Sequence, residues 1–133
     1  MLKLEIVTPE RRVLDAEVDS VTVPTATGEA GILQNHATLI SALKPGILAY
    51  AVKGTTDKLA ISGGFVEVNS DTVSVLVDSA ETPDEIDVGR AKSDLDAAEK
   101  AIAAAGLVES GEASDSRDAL EHAAARLRLV AGK

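Results

Sequence analysis

The sequence contains no cysteine and no tryptophan, and its only aromatic residues besides histidine are one tyrosine and one phenylalanine, Tyr50 and Phe65. Without cysteine the chain can form neither a disulfide nor a thiolate zinc site, and nothing in it calls for an oxidising compartment. Hydrophobic residues make up 45% of the 133 positions and aromatic residues 2%. Any core must therefore be built from aliphatic side chains.

Basic residues and long apolar runs are also scarce. Thirteen lysines and arginines stand against 22 acidic residues, which gives a formal charge of −9. This charge repels phosphates and anionic headgroups, so we expect no nucleic-acid partner. The longest apolar run, residues 47–52, is far short of the roughly 20 residues that span a membrane, and the N-terminus lacks the apolar core of a signal peptide. We expect a soluble intracellular protein.

The spacing of apolar residues changes at residues 86–91. Before this stretch they alternate in twos between Gly and Pro punctuation, which predicts about ten short strands in an antiparallel sandwich or barrel. After it they recur every three or four residues in an Ala-rich background, which predicts two helices. We therefore expect an α+β fold, with an antiparallel β-sandwich in residues 1–84 and an antiparallel two-helix hairpin in residues 85–133.

Proline and glycine set the expected strand ends. Pro24 cannot donate to a central ladder and is expected to end a strand, and the small residues of 25–31 predict a loop. That loop carries Glu29 and is either a plain connector or a partner contact. The Gly63-Gly64 pair could cradle phosphate, but a pair inside a strand more often marks a bulge or close backbone packing, which is the interpretation we adopt.

Capping residues set the expected helix ends. Asp87 is a suitable N-cap for a helix that begins at Val88, Gly106 ends that helix, and Ser114 or Ser116 caps the second. An alanine in place of a leucine forfeits roughly 2 kcal/mol of apolar transfer, so we expect a weak, mobile hairpin. The expected buried stripes are Ala91, Leu95, Ala98, Ile102 and Ala105, then Ala119 or Leu120, Ala123, Leu127 and Val130.

A catalytic set cannot be assembled from the motifs present. His36 and His122 lie in different halves, and there is no nucleophile elbow and no Gly-x-x-x-x-Gly-Lys-Ser/Thr phosphate loop. We expect no catalytic residue, no metal site and no required cofactor. Taken alone, Asp87 followed by Arg90 is an ordinary helix start, with nucleotide binding as the minor alternative.

Several motifs occur in the order and at the spacing of a known family. They are residues 18–24, Gly-Glu-Ala-Gly-Ile-Leu at 28–33, His-Ala and Leu-Lys-Pro-Gly within 36–46, and Ile-Ser-Gly-Gly-Phe-Val-Glu-Val at 61–68. Over nearly its whole length the chain resembles the epsilon subunit of bacterial F-type ATP synthase. The resemblance implies a β-sandwich with a helical hairpin and a non-catalytic rotor subunit of the central stalk, which couples the catalytic head to the c-ring.

The resemblance also implies partners and a location. The family binds the gamma subunit, sits on the c-ring, and extends its hairpin towards the alpha/beta catalytic subunits to inhibit ATP hydrolysis. This places the chain at the cytoplasmic face of the bacterial inner membrane, peripheral to it through the complex. The corresponding residues are Glu29, Ala30 and Gly31 for the c-ring, His36 for gamma, and Arg126 and Arg128 as our candidates for the inhibitory contact.

Residues 86–91 are similar to the motif Ile/Leu-Asp-x-x-Arg-Ala, which binds ATP in some bacterial members and favours the folded-down hairpin. Ala97 and His122 stand where those members have arginines. Losing two charge-assisted contacts of about 1.5 to 3 kcal/mol each weakens binding by roughly two to four powers of ten. ATP is therefore a candidate regulatory ligand only. The matching residues are Glu81, Ile86, Asp87, Arg90, Ala91 and Arg126.

Two other functions compete with this interpretation. A free-standing β-sandwich ligand-binding module would explain the same strand pattern, and it would be a monomer that ignores gamma and the ring. A hydrolase is the third alternative, and the lack of a catalytic set disfavours it.

Overall fold

The protein was analysed as a computed structural model that describes residues 1–35, 37–105 and 111–131, with Ala105 and residues 111–115 described by their backbone only. Within these ranges ten strands precede a short 3₁₀ helix (Pro83–Glu85) and two long helices, α1 (Val88–Ala105) and α2 (Gly111–Ala131). The strands are β1 (Leu2–Val7), β2 (Arg12–Val18), β3 (Ser20–Thr25), β4 (Gly28–Leu33), β5 (Leu39–Leu43), β6 (Gly46–Val52), β7 (Thr55–Ile61), β8 (Gly64–Asn69), β9 (Thr72–Val77) and β10 (Ala80–Glu81).

The strands form one continuous sheet that folds over on itself. Their order is β10-β7-β6-β3-β5-β8-β9-β1-β2, and β4 pairs with β3. β3 and β5 share a single residue pair, Thr25 with Leu43, so the sheet bends there and its two halves enclose a common core. The pairs are antiparallel except for β1 with β9, which are parallel. The predicted β-sandwich followed by a two-helix hairpin is confirmed, with this one parallel pair added.

The core between the two halves is aliphatic. Along β1 the side chains of Leu2, Leu4 and Ile6 are 0% exposed, because alternate residues of a strand point to the same face. Leucine, isoleucine and valine from both halves of the sheet complete the cluster. Tyr50 is only half-buried at its edge and Phe65 is exposed. The two aromatic side chains thus contribute little to the core.

The structure corrects the prediction for residues 24–31. Pro24 does not end β3 but continues it, paired with Glu29, and Gly28–Leu33 is strand β4 instead of a loop. Pro24 lies between the part of β3 that pairs with β6 and the part that pairs with β5, so its missing N–H costs no ladder bond on that side. The remaining turn is tight, and Gly28 meets it with a φ of +127°, which favours glycine.

The Gly63-Gly64 pair has the close backbone packing that we predicted. Gly64 pairs with Val77 of β9, and a Cβ on Gly64 would lie 2.9 Å from the Val77 Cα and still closer to the Leu76 carbonyl oxygen. Only a residue without a Cβ fits at this position.

The first helix begins and ends where its sequence predicts. Asp87 Oδ1 accepts a hydrogen bond from the Arg90 N–H at 3.0 Å, and α1 ends at Ala105, next to Gly106, which lies outside the described residues. Ala91 and Ala98 are buried and Leu95 and Ile102 half-buried, as the predicted stripe requires. The stripe's last member, Ala105, has no described side chain.

The second helix differs from its prediction. It begins at Gly111, so Ser114 and Ser116 lie inside it, and the prediction of a serine N-cap was wrong. Serine disfavours a helix only mildly, and no proline separates these residues from Gly111. Of the predicted stripe only Ala123 is fully buried, whereas Ala125, Arg126 and Leu129 are buried outside it.

Candidate functional site

The hairpin lies folded against the outer surface of β6 and β7. Leu59, Ala60 and Ile61 are all at most 3% exposed, although alternate residues of a strand face opposite sides. Leu59 and Ile61 face the sandwich core, whereas Ala60 belongs to a second cluster with Ile86 and Leu129. Continuous burial of this kind requires cover on both faces of the sheet. The second cover is α2, and we call this second cluster the docking cluster.

Arg126 is the one charged residue that the described part of the chain buries, with 7% of its surface exposed. Its Nη1 donates a hydrogen bond to Asp94 Oδ2 at 3.2 Å. Its Nε lies 3.0 Å from Glu81 Oε1, but the N–H does not point at that oxygen, so this contact is an ion pair without a hydrogen bond. One guanidinium therefore joins α2 to β10 and to α1. We call this group of three residues the Arg126 bridge.

His122 lies one helical turn before Arg126. Its Nε2 is 3.4 Å from the Ser79 hydroxyl oxygen. Burial and, secondarily, the neighbouring Arg126 charge lower the pKa of His122, against the weaker opposing effect of the Glu81 and Asp94 carboxylates. The imidazole is therefore neutral at neutral pH and adds no positive charge beside the bridge.

A groove of about 400 Å³ runs between α1 and α2. Both positions that depart from the ATP-binding pattern, Ala97 and His122, line it. Among the described residues that line it, Arg126 is the only arginine or lysine, and its charge already faces two carboxylates. The lining residues are Asp94, Ala97, Ala98, Ser116, Ala119, His122, Ala123 and Arg126.

The residues predicted to bind ATP occupy different surroundings. Ile86 and Ala91 are buried, and Ile86 belongs to the docking cluster. Asp87 and Arg90 are exposed and joined to each other by the N-cap hydrogen bond, and neither lines the groove between the helices. The structure thus brings Glu81 to Arg126, already paired, and leaves Arg90 elsewhere. ATP binding by these residues stays a prediction.

The connector between sheet and helices is fixed by Glu85. Its Oε1 accepts hydrogen bonds from the Thr82 N–H at 3.1 Å and the Thr82 hydroxyl at 3.0 Å, and its Oε2 accepts one from Arg11 Nη2 at 2.6 Å. The hydrogen bond from the Thr82 backbone is the main reason that the pKa of Glu85 lies below its usual range. The sequence analysis missed this pair, although Thr-x-x-Glu at 82–85 is a visible capping-box signal.

The residues predicted to contact the c-ring lie on β4. Glu29 and Gly31 are exposed, and Ala30 is half-buried against the core. Glu29 also lines a cleft of about 490 Å³ with Lys44 and with the exposed Arg128 of α2. The predicted gamma contact, His36, lies outside the described residues.

An exposed apolar patch covers the outer face of the other half of the sheet. Ile40, Phe65 and Leu76 are 71%, 59% and 51% exposed. Phe65 pairs with Leu76 on one side and with Ala42 on the other, and Ile40 lies on the same face as Ala42. The alternation of residues along a strand predicts which of its faces is apolar, but not whether another element covers that face. The sequence therefore did not reveal this exposed patch.

The part of the chain that the structure describes offers neither a metal site nor a membrane-spanning helix. They contain no group of three or more His, Asp or Glu residues placed to hold a metal ion. None of their helices combines the length and the apolar character needed to cross a membrane.

These features define a class of protein: a β-sandwich that carries a two-helix hairpin docked on its outer surface. Residues 1–83 match the family model described as ATP synthase, Delta/Epsilon chain, beta-sandwich domain. The ATP synthase epsilon chain of Carboxydothermus hydrogenoformans is 51% identical over 77% of this chain and 76% of its own length. That of Nitratidesulfovibrio vulgaris is 41% identical over 96% of this chain and 94% of its own.

A solved structure agrees with these sequence matches. A chain of the Euglena gracilis mitochondrial ATP synthase, in a structure described as OSCP/F1/c-ring in rotational state 1, superposes with a TM-score of 0.76. It shares 28% sequence identity and covers 98% of this chain and 80% of its own. The chain belongs to the ATP synthase epsilon chain family, the non-catalytic subunits of the central stalk.

Proposed function

We propose that this chain couples the catalytic head of a proton-translocating F-type ATP synthase to the c-ring and restrains ATP hydrolysis through its hairpin. In this proposal residues 1–84 bind the gamma subunit and the ring, and residues 85–133 form the mobile regulatory domain. The observation that carries the proposal is the docked hairpin, held by a small apolar cluster and one buried arginine. A hairpin attached this lightly can leave the sheet while the sandwich core stays intact.

Two surfaces of the β-sandwich suit it to these partners. The exposed patch of Ile40, Phe65 and Leu76 offers apolar area for a protein interface, which we assign to gamma. The exposed Glu29 and Gly31 of β4 offer a small polar edge, which we assign to the loops of the ring. The Euglena relative was solved in an assembly with F1 and a c-ring. The bacterial relatives of this chain support a place at the cytoplasmic face of the inner membrane, where the chain would be peripheral to the membrane through the complex.

The inhibitory contact requires the hairpin to move. Arg126 is buried and paired with Glu81 and Asp94, so its charge reaches acidic surfaces of the alpha/beta subunits only after undocking. Arg128 is already exposed in the docked state. We therefore assign both arginines to the inhibitory contact, with Arg126 becoming accessible only when the hairpin extends.

Truncation of the chain after Glu85 in the reconstituted complex tests this function. The shortened subunit should still co-purify with gamma and the ring, and ATP hydrolysis should increase. Replacing Arg126 and Arg128 together with glutamate should also relieve inhibition, whereas Glu121→Gln, a change at an exposed residue of the same helix, should not. An ATPase rate unchanged by truncation would contradict the inhibitory role. A full-length chain that stays monomeric beside gamma and the ring would favour the free-standing ligand-binding module.

The support for ATP as a regulatory ligand of the hairpin is the motif at residues 86–91, and the charges around the groove oppose it.

A further inference from the structure

We infer that the Arg126 bridge to Glu81 and Asp94 holds this hairpin down without a nucleotide, and that the groove between α1 and α2 does not take ATP. The inference rests on the proposed function, since it concerns how the regulatory hairpin is retained.

The bridge fixes three separate elements to one another. Glu81 belongs to β10, which is paired to the sheet through Ala80 with Ile61 and Glu81 with Ala60. Its carboxylate is therefore anchored to the sandwich, whereas Asp94 and Arg126 belong to the two helices of the hairpin. Any movement of α2 away from β7 separates Arg126 from Glu81. The bridge thus opposes undocking at the point where the hairpin meets the sheet.

The surroundings of the bridge make it stronger than a surface ion pair. The side chains of Arg126 and Glu81 are 9% and 24% exposed, so water and salt screen their attraction less than at the surface. The Asp94 side chain is 48% exposed, so the shielded part of the bridge is the pair of Arg126 with Glu81. Removing one member of such a buried pair leaves the other charge uncompensated. The apolar contacts nearby are few, because the docking cluster contains one alanine, one isoleucine and one leucine.

The charge of the site disfavours a polyphosphate. Asp94 and Arg126 line the groove, and Glu81 pairs with Arg126 without lining it. The three side chains together carry a net charge of −1, and the neutral His122 does not change it. Ala97 contributes no charge either. A triphosphate entering the groove would have to displace Glu81 or Asp94 from Arg126 and then lie beside the freed carboxylate. Like charges at such distances repel, so the residues present do not fit the nucleotide.

Hydrogen exchange of the full-length isolated chain, read by mass spectrometry, measures how often the hairpin opens. Arg126→Gln should raise exchange in α2 at least tenfold, and Glu81→Gln should raise it severalfold. Lys92→Gln is the control, since it removes an exposed positive charge from the hairpin away from the bridge, and it should change exchange less than twofold. Amides of β1 and β9 should exchange at the wild-type rate in all three variants. Millimolar Mg-ATP should leave exchange in wild-type α1 and α2 unchanged.

A ligand that bound only the docked state would lower the opening equilibrium constant of the hairpin by a factor of one plus the ratio of the ligand concentration to its Kd. Slower exchange in wild-type α2 with ATP, lost in Arg126→Gln, would therefore overturn the inference. If Arg126→Gln also exposes β1 and β9, Glu81→Gln decides, because it keeps the shape of the side chain and removes one charge. Wild-type exchange in Glu81→Gln would show that no bridge holds the hairpin. None of these results depends on the ATPase of the truncated complex, so the proposed function can fail or stand separately.

Discussion

Replacing Leu129 with alanine should undock the hairpin while the β-sandwich stays folded. Leu129 is 5% exposed and packs against Ala60 and Ile86. Leucine-to-alanine changes at buried sites cost about 2 to 5 kcal/mol. We expect the lower end, about 2 to 3 kcal/mol, because Ile47 and Val130 around the cluster are only half-buried and can close over the space. By the usual conversion this raises the undocked population roughly 30- to 150-fold.

The separate docking of the hairpin limits the effect on global stability. Once the hairpin leaves the sheet, the Leu129 contacts are already lost, so the sandwich cannot be destabilised by more than the docking free energy. Hydrogen exchange should therefore rise strongly in α2 and little in β1 and β9. The reconstituted complex should hydrolyse ATP more slowly, because the extended state becomes more populated. Glu121→Ala, at an exposed position of the same helix, is the control. Equal acceleration of helix and strand amides, or none in α2, would refute the reasoning.

Three further changes test separate features. Gly64→Ala should lower the free energy of unfolding by about 1 to 3 kcal/mol in denaturant titrations, because the new Cβ would overlap β9. Gly63→Ala should lower it less, because its Cβ would lie 3.3 Å from the nearest carbonyl oxygen. Asp87→Ala should cost about 1 kcal/mol and speed exchange at the start of α1, while Asp87→Asn, which keeps a side-chain acceptor, should cost less. The pKa of His122 is lowered in the docked state, so docking favours its neutral form and should weaken as pH falls below about 6.5. The protection factors of α2 amides, which are corrected for the intrinsic pH dependence of exchange, should then fall at acid pH in wild type and in His36→Gln, and fall less in His122→Gln.

The sequence determined the features that depend on neighbouring residues. Alternation in twos places Leu2, Leu4 and Ile6 on one face of β1, and the core in fact buries them. The Asp87 carboxylate caps α1 because it needs only the N–H three residues away. The same local reasoning identified the close packing of Gly64. The family motifs also predict partners, and these stay predictions.

The pattern of neighbouring residues could not predict features that depend on which element packs against a surface. Pro24 continues β3 because the strand changes partners there, which no feature of residues 24–31 indicates by itself. One helical face supplies one predicted stripe, yet α2 packs against both α1 and the sheet, so Leu129 and Arg126 are buried outside that stripe. Arg126 in particular was predicted only as a contact for ligands and partner subunits.

The sequence by itself thus determined a β-sandwich, a helical hairpin and the boundary between them, because hydrophobic periodicity and capping act over a few residues. Only the tertiary structure decided that the hairpin is docked and that Arg126 is buried between Glu81 and Asp94. These three charges lie on different elements, far apart in the chain, and their attraction exists only after the sheet and both helices have come together.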